Sequence, residues 1–139
     1  MTPRLDCIGI VTADLAASLA FYRRLGIDVP DGVEGEPHVE VTLATGMRLL
    51  WDTHDSVRSF DPAFTPSSGG ALALAFACDD PADVDDTYAA LVAAGAEGHL
   101  PPWDAFWGQR YATVRDPDGN GVELFAPLPA ADQAAGPSS

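Results

Sequence analysis

Histidine and cysteine, which often bind metal ions or take part in catalysis, are rare in this sequence. The sequence contains three histidines and two cysteines. His38 and Glu40 are two residues apart on a predicted strand, as are Asp52 and His54, so each pair would share one face of a sheet. This spacing permits a metal site, although three scattered histidines are more typical of surface or hydrogen-bonding residues.

Glu123 is a carboxylate within a predicted apolar strand, where it could act as a general base. That role requires a second functional group, and the sequence offers no obvious partner. A neighbouring cation such as Arg110 could equally hold the carboxylate. Nucleophilic catalysis is not indicated, because the sequence has no Gly-x-Ser-x-Gly motif and no histidine-paired cysteine.

The segment from Pro101 to Tyr111 has the highest density of aromatic residues and is predicted to be partly irregular. Two tryptophans in a loop with proline and glycine are costly to leave in water. The loop could pack onto the protein or into a dimer interface, or its rings could contact a ligand, and both can hold at once.

Further residues could extend these rings into a flat aromatic box with a polar rim. Trp51 ends a predicted strand, and Phe60 and Phe64 follow it in a polar linker. The predicted ligand-binding residues are His38, Trp51, Phe60, Phe64, Trp103, Phe106, Trp107, Arg110, Tyr111 and Glu123.

Two segments of the chain show the same order of secondary structure. In the first, Leu5–Thr12 predicts a strand, Asp14 is the expected N-cap of a helix, and Gly26 is expected to end that helix. Strands are predicted to follow at His38–Ala44 and Met47–Asp52.

In the second segment, a strand is predicted at Ala71–Cys78, and Asp83 is the expected N-cap of a helix that ends at Gly95. Predicted strands follow at Glu97–Leu100, Gln109–Arg115 and Gly121–Ala126. Superposing the two segments aligns Asp14 with Asp83, Leu15 with Val84, Leu19 with Tyr88, Tyr22 with Leu91, and Gly26 with Gly95. This alignment indicates an internal duplication.

We therefore predict an α+β fold of two βαβββ repeats, whose curved half-barrel sheets enclose a cleft. The first repeat covers residues 1–52 and the second covers residues 71–126. Residues 53–70 form a linker, and residues 127–139 form a disordered tail.

Composition limits the partners and the compartment. The formal net charge is −14, and all seven basic residues are arginines. Such a surface repels phosphate backbones and anionic lipids, so we expect neither nucleic-acid nor membrane partners. Cys7 and Cys78 lie in apolar runs without metal-like spacing, which favours buried reduced thiols and a cytoplasmic location.

The sequence resembles the vicinal oxygen chelate superfamily, the group of glyoxalases, bleomycin resistance proteins and extradiol dioxygenases, nearly as far as Pro127. Two stretches carry the resemblance, Val11–Gly26 and Arg115–Leu124. The resemblance implies a homodimer, and it covers both metalloenzymes and metal-free drug-binding proteins. In the drug-binding branch of that superfamily, a Trp-Gly pair near the position of Trp107 and Gly108 lies beside a cleft between two chains.

In the metalloenzymes of that group, each repeat offers a His, Gln or Glu ligand on its first strand and another on its last strand. Here the first-strand position resembles Cys7, and the internal symmetry places Leu50 opposite Glu123. Only Glu123 matches the family pattern. One carboxylate, a thiol and hydrocarbons do not make a Mg, Fe or Zn site, so we expect no metal and no cofactor.

These features predict a metal-free protein that sequesters a planar aromatic antibiotic of the bleomycin, mitomycin or anthraquinone-enediyne type and so confers self-resistance. The ligand would be a small aromatic natural product, and the acidic surface would favour a cationic one. The alternative is a lyase, isomerase or dioxygenase of the same fold, with a displaced metal site or with Glu123 as base. A biosynthetic or regulatory binding module would need the same stacking surface.

Overall fold

The computed structural model describes residues 2–67 and 69–129. It divides into two compact units, Met1–Ser67 and Ser68–Ser139, and each is described by itself. Most of the tail predicted at 127–139 therefore lies outside the described residues. None of the described helices is both long and apolar enough to cross a membrane.

The first unit contains a three-stranded sheet with strand order β1-β3-β2. Strand β1 runs parallel to β3, and β2 runs antiparallel to β3. Its elements are β1 (Cys7–Thr12), α1 (Leu15–Arg24), β2 (His38–Thr42), β3 (Arg48–Thr53) and α2 (His54–Arg58). The short helix α2 begins inside the region predicted as a linker, where no helix was expected.

Helix α1 begins where its cap residue predicts. The Asp14 carboxylate accepts a hydrogen bond from the backbone N–H of Ala17 at 3.1 Å, which confirms Asp14 as the N-cap. The helix buries Leu19 and Tyr22 completely, and Trp51 of β3 is also completely buried. These residues form the apolar core between α1 and one face of the first sheet.

The second unit contains a four-stranded sheet with strand order β4-β7-β6-β5. Strand β4 is parallel to β7, whereas β7, β6 and β5 are joined by antiparallel pairing. The elements are β4 (Ala73–Ala77), α3 (Pro81–Ala93), β5 (Glu97–Ala105), β6 (Gln109–Arg115) and β7 (Gly121–Pro127). The two sheets and their helices confirm the α+β architecture.

The N-terminus of α3 differs from the prediction. Asp80 is the N-cap, its side chain accepts a hydrogen bond from the backbone N–H of Asp83 at 2.8 Å, and Pro81 begins the helix. Asp83 lies in the first turn, so the prediction that it caps the helix was wrong. The helix starts about one turn earlier than expected because Pro81 is well suited to a first helical position.

Strand β5 is longer than predicted. It continues through Pro101 and Pro102 to Ala105, with irregular pairing between Gly98 and Leu100 and again between Leu100 and Trp103. Proline is tolerated there because β5 is an edge strand and its irregular pairing leaves residues outside the ladder. The aromatic segment is therefore mostly a bent β5–β6 hairpin, not an irregular loop.

Candidate ligand-binding site

Four aromatic rings meet at the β5–β6 hairpin of the second unit, and we call them the aromatic cluster: Trp103, Phe106, Trp107 and Tyr111. Trp107 is the central ring. Its centroid lies 5.5 Å from that of Trp103, 5.0 Å from Phe106 and 5.1 Å from Tyr111, and all three contacts are edge-to-face. Such contacts fix the rings relative to one another.

The cluster is ordered by the sheet and remains accessible. Trp103 pairs directly with Tyr111 across β5 and β6, so their side chains lie on the same face. The indole Nε1 of Trp107 donates a hydrogen bond to Oε1 of Gln109 at 2.8 Å. Trp103 is 38% exposed, Trp107 48% and Phe106 78%. Three large rings are therefore held in position while much of their surface faces solvent.

Glu123 lies on the same face of the sheet as the cluster. It pairs with Thr113, and Tyr111 pairs with Phe125, so Tyr111 and Glu123 are diagonal neighbours on adjacent strands. Burial raises the pKa of the Tyr111 phenol, and its hydrogen bond to Glu123 and the negative charge of that carboxylate raise it further. The partner for Glu123 that sequence reasoning missed is thus Tyr111.

Strand β4 leaves open space beside Glu123. Ala75 pairs with Glu123, and the neighbouring residues on this face of β4 are Ala73 and Ala77. All three alanines are exposed. These small side chains leave the β4 side of Glu123 uncovered by any larger side chain of that strand.

Arg110 does not belong to this face. Its guanidinium bonds Asp85 of helix α3 with N–O distances of 2.9 and 3.3 Å, and it bonds Asp104 of β5 at 3.0 Å. The side chain therefore lies on the helix side of the sheet and ties the hairpin to α3. This placement contradicts the predicted pairing of Arg110 with Glu123 and does not favour its predicted role as a ligand contact at the rim.

Trp51 lies in the core of the first unit. It is 0% exposed, its Nε1 donates a hydrogen bond to Oγ of buried Ser18 at 3.1 Å, and its ring packs edge-on against Tyr22. A tryptophan with these contacts stabilises the packing of α1 on the sheet. The arrangement does not favour the predicted part of Trp51 in an aromatic box.

His38 is the centre of a polar array on the other face of the first sheet. Its Nδ1 lies 2.7 Å from Asp52 and its Nε2 lies 2.9 Å from Glu40. Glu40 also accepts a hydrogen bond from Arg48 at 2.6 Å, and Arg48 bonds Asp6. The hydrogen bond to Glu40 has the largest effect in raising the pKa of His38, and the hydrogen bond to Asp52 raises that pKa further.

Phe64 packs near α2, whereas Phe60 is free of such contacts in the described structure. The Phe64 ring lies 5.3 Å from the ring of His54, and the guanidinium of Arg58 lies 5.6 Å from its centroid. Phe60 is 72% exposed. Of the predicted site residues, the structure brings together the aromatic cluster and Glu123. The other aromatic candidates and His38 lie in the first unit.

The residues present do not fit the metal site of the metalloenzymes that this sequence resembles. Leu50 pairs with Gly9 as Glu123 pairs with Ala75, so Leu50 and Glu123 occupy equivalent positions in the two sheets. A hydrocarbon therefore stands where a second donor is needed, and the alanines of β4 supply no ligand. Among the residues that the structure describes, no group of three or more His, Cys, Asp or Glu side chains is arranged to hold a metal ion.

Comparison with known proteins identifies the family. The model of the Glyoxalase/Bleomycin resistance protein/Dioxygenase superfamily matches residues 4–124, and the chain belongs to this superfamily. A search of curated protein sequences finds no significant match.

Solved structures agree with the fold. A glyoxalase/bleomycin resistance protein/dioxygenase family enzyme from Burkholderia phytofirmans PsJN is 22% identical, with a TM-score of 0.77 over 91% of this chain and 100% of that chain. A glyoxalase/bleomycin resistance protein/dioxygenase from Nocardioides is 26% identical, with a TM-score of 0.70 over 100% of this chain and 90% of that chain. A glyoxalase-related enzyme from Fulvimarina pelagi is 24% identical, with a TM-score of 0.74 over 90% and 88% of the two chains.

Proposed function

We propose that this protein binds a small planar aromatic ligand on the face of the second sheet that carries the aromatic cluster and Glu123. The ligand class is an aromatic antibiotic of the bleomycin, mitomycin or anthraquinone-enediyne type, held without a metal in the cytoplasm so that the host is protected. The exposure of Trp103 and Trp107, despite their fixed geometry, is the observation that carries this proposal.

Ring stacking and apolar burial would supply the affinity. An aromatic pair contributes about 0.5–1.5 kcal/mol beyond the burial of its area, and burial adds about 25 cal/mol per Å² of apolar surface. A micromolar complex requires about 8 kcal/mol. Two or three ring contacts with a few hundred Å² of burial reach this range only if the rings are already ordered, as the contacts of Trp107 ensure.

Charge supports a cationic ligand. Glu123 is only partly exposed, and the phenol of Tyr111 beside it is a neutral hydrogen-bond donor at physiological pH, as a tyrosine ordinarily is. A cationic group next to Glu123 would gain a counter-charge in a partly desolvated place. The net charge of −14 would also increase the encounter rate with a cation.

A fluorescence titration tests the proposal. The protein is treated with EDTA, and a panel of planar antibiotics is added while tryptophan emission is measured. Quenching that saturates at one ligand per chain supports the proposal. Phe106→Ala should weaken binding several-fold, whereas Phe60→Ala, a matched change at another exposed phenylalanine, should not. Unchanged emission with every member of the panel, or equal loss with both variants, would contradict it.

The pairing of Glu123 with Tyr111 favours a second candidate, a metal-free isomerase. The Glu123 carboxylate would remove a proton from a carbon next to a carbonyl. The Tyr111 phenol would turn its O–H from Glu123 to the substrate and donate a hydrogen bond to the carbonyl oxygen as an enolate forms. In a β,γ-unsaturated carbonyl substrate the enolate is a conjugated dienolate, and return of the same proton to its γ-carbon would complete the isomerisation. Mass spectrometry and chromatography of the recovered ligand separate the two functions, because a sequestered ligand returns unchanged.

A further inference from the structure

Two rings of the aromatic cluster meet at a right angle and leave a concave space between them. The planes of Trp103 and Trp107 are inclined at 88°, with their centroids 5.5 Å apart. In such an edge-to-face pair, the edge of one ring rests against the face of the other, so the faces of both rings border one space. Both side chains are exposed. We call the space between these two rings the tryptophan corner.

The tryptophan corner is ordered by contacts within the second unit. The indole Nε1 of Trp107 is bonded to Gln109, and the ring of Tyr111 lies against Trp107 at an interplanar angle of 77°. Trp103 belongs to β5 and pairs with Tyr111 of β6. Because these contacts hold both indoles in place, a ligand does not have to order them on binding.

The right angle between the indoles determines the shape of the group that fits. A flat ring can stack on only one of two perpendicular faces, whereas a rounded group contacts both. The face of an aromatic ring carries negative charge density, so a cation within about 6 Å of a ring centroid is attracted, and most strongly by tryptophan. A rounded cation in the corner is therefore attracted by two indoles at once.

The ring faces suit a quaternary ammonium group better than a primary one. A primary ammonium group has three N–H donors, and aromatic faces replace their water molecules poorly. A quaternary ammonium group has no N–H donor, and its charge is spread over methyl groups that gain from apolar contact. The tryptophan corner thus suits the organic cation that loses least when water is removed.

Glu123 supplies a negative charge on the same face of the sheet. It is a diagonal neighbour of Tyr111, whose ring contacts Trp107 with centroids 5.1 Å apart. Diagonal neighbours on adjacent strands are about 7–8 Å apart, so this carboxylate attracts a cation beside Trp107 when the ionic strength is low. The net charge of −14 acts in the same direction.

The two arginines of β6 are held away from the tryptophan corner. Arg110 is bonded to Asp85 and Asp104 on the helix side of the sheet. Arg115 is bonded to Glu97 at 3.4 Å, at the other end of β6. Neither guanidinium therefore takes the place of a cationic ligand.

We propose that the ligand of this site carries a quaternary ammonium group, such as trimethylammonium, and that this group binds in the tryptophan corner. The inference rests on the proposed function, because it names a chemical group of the ligand that the aromatic cluster binds. A small quaternary ammonium compound without an aromatic ring should then bind by itself, although weakly, because it buries little area.

Choline and 3,3-dimethylbutan-1-ol test the proposal, because they differ only in a positively charged nitrogen in place of a carbon. Each is titrated at constant ionic strength, set with sodium chloride, while the indole N–H signals of the three tryptophans are followed by NMR. The signals of Trp103 and Trp107 should move, whereas that of Trp51, which is completely buried, is the internal reference. Choline should bind about tenfold more tightly than the alcohol.

Variants separate the ring faces from the charge. Trp103→Leu removes one ring face but keeps an apolar side chain, and it should lower the affinity for choline about fivefold while changing the affinity for the alcohol less than about twofold. Glu123→Gln should lower the affinity for choline at least about twofold at low ionic strength. Asp86→Asn removes the same charge from an exposed position of α3, on the other side of the sheet, and should leave the affinity unchanged.

Equal affinities for choline and the alcohol would overturn the proposal. So would choline binding that leaves the signals of Trp103 and Trp107 unmoved, or equal losses in Glu123→Gln and Asp86→Asn. If planar antibiotics quench the emission and choline does not bind, the quaternary ammonium group is wrong and the proposed function stands. If choline binds in the corner and every antibiotic fails, the ammonium group is supported and the antibiotic class is wrong.

Discussion

Replacing Trp51 with phenylalanine should destabilise the fold without affecting ligand binding. The indole is 0% exposed, and it donates the hydrogen bond that Oγ of buried Ser18 accepts at 3.1 Å. In Trp51→Phe this bond is lost and a void replaces part of the indole. An unsatisfied buried polar group costs about 1–3 kcal/mol, and the void adds to that cost. We expect a total loss of about 2–4 kcal/mol.

Thermal and urea unfolding followed by circular dichroism would measure this loss. For a chain of this size, about 3 °C of midpoint shift corresponds to 1 kcal/mol, so the transition should fall by about 6–12 °C. Trp103→Phe is the control, since Trp103 is 38% exposed and its substitution should cost less than about 1 kcal/mol. A Trp51→Phe protein with unchanged stability but lost ligand binding would refute the assignment of Trp51 to the core.

Three further predictions concern pH and backbone conformation. Because the pKa of His38 is raised above 6.5, its contribution to stability should be complete below about pH 6.5 and lost as the pH rises through the folded pKa. His38→Gln should remove this dependence of stability on pH, and an NMR titration midpoint of His38 at or below 6.5 would contradict the prediction. Gly69→Ala should lower the free energy of unfolding in urea by at least about 1 kcal/mol more than Gly70→Ala. Both glycines have positive φ, but only at Gly69 would a Cβ lie 2.9 Å from backbone atoms, so equal losses of stability would exclude this contact. The pKa of Tyr111 is raised, so its contribution to stability should be lost as the pH rises from about 10 through its folded value. Glu123→Gln should lower the midpoint of Tyr111 ionisation measured by NMR, and an unchanged midpoint would argue against their interaction.

Local signals in the sequence predicted much of the secondary structure. Asp14 was correctly predicted as a cap because capping depends on a side chain and a backbone three residues away. The predicted strand at Gln109–Arg115 coincides with β6 for a similar reason, since its alternation of side chains reflects burial on one face. Asp83 was misplaced because several aspartates near it could serve as caps, and sequence alone did not distinguish them.

The candidate site was predictable only in part. The density of rings between Trp103 and Tyr111 is visible in the sequence, whereas their contacts with one another are seen only in the structure. The pairing of Arg110 with Glu123 was wrongly predicted because neighbouring strand residues point to opposite faces, and the register that sets the face of Arg110 depends on pairing with β5 and β7. The link between Tyr111 and Glu123 was missed because they are twelve residues apart.

The sequence by itself determined the order of elements, the duplication and the family, because these depend on residue type and on short-range spacing. Only the tertiary structure decided which side chains meet. It placed Trp51 in the core, directed the Arg110 side chain from β6 toward Asp85 of α3, and left β2 at the edge of its sheet. Strand register and sheet order cause this difference, since they arise from contacts between distant segments and a shift of one residue moves a side chain to the opposite face.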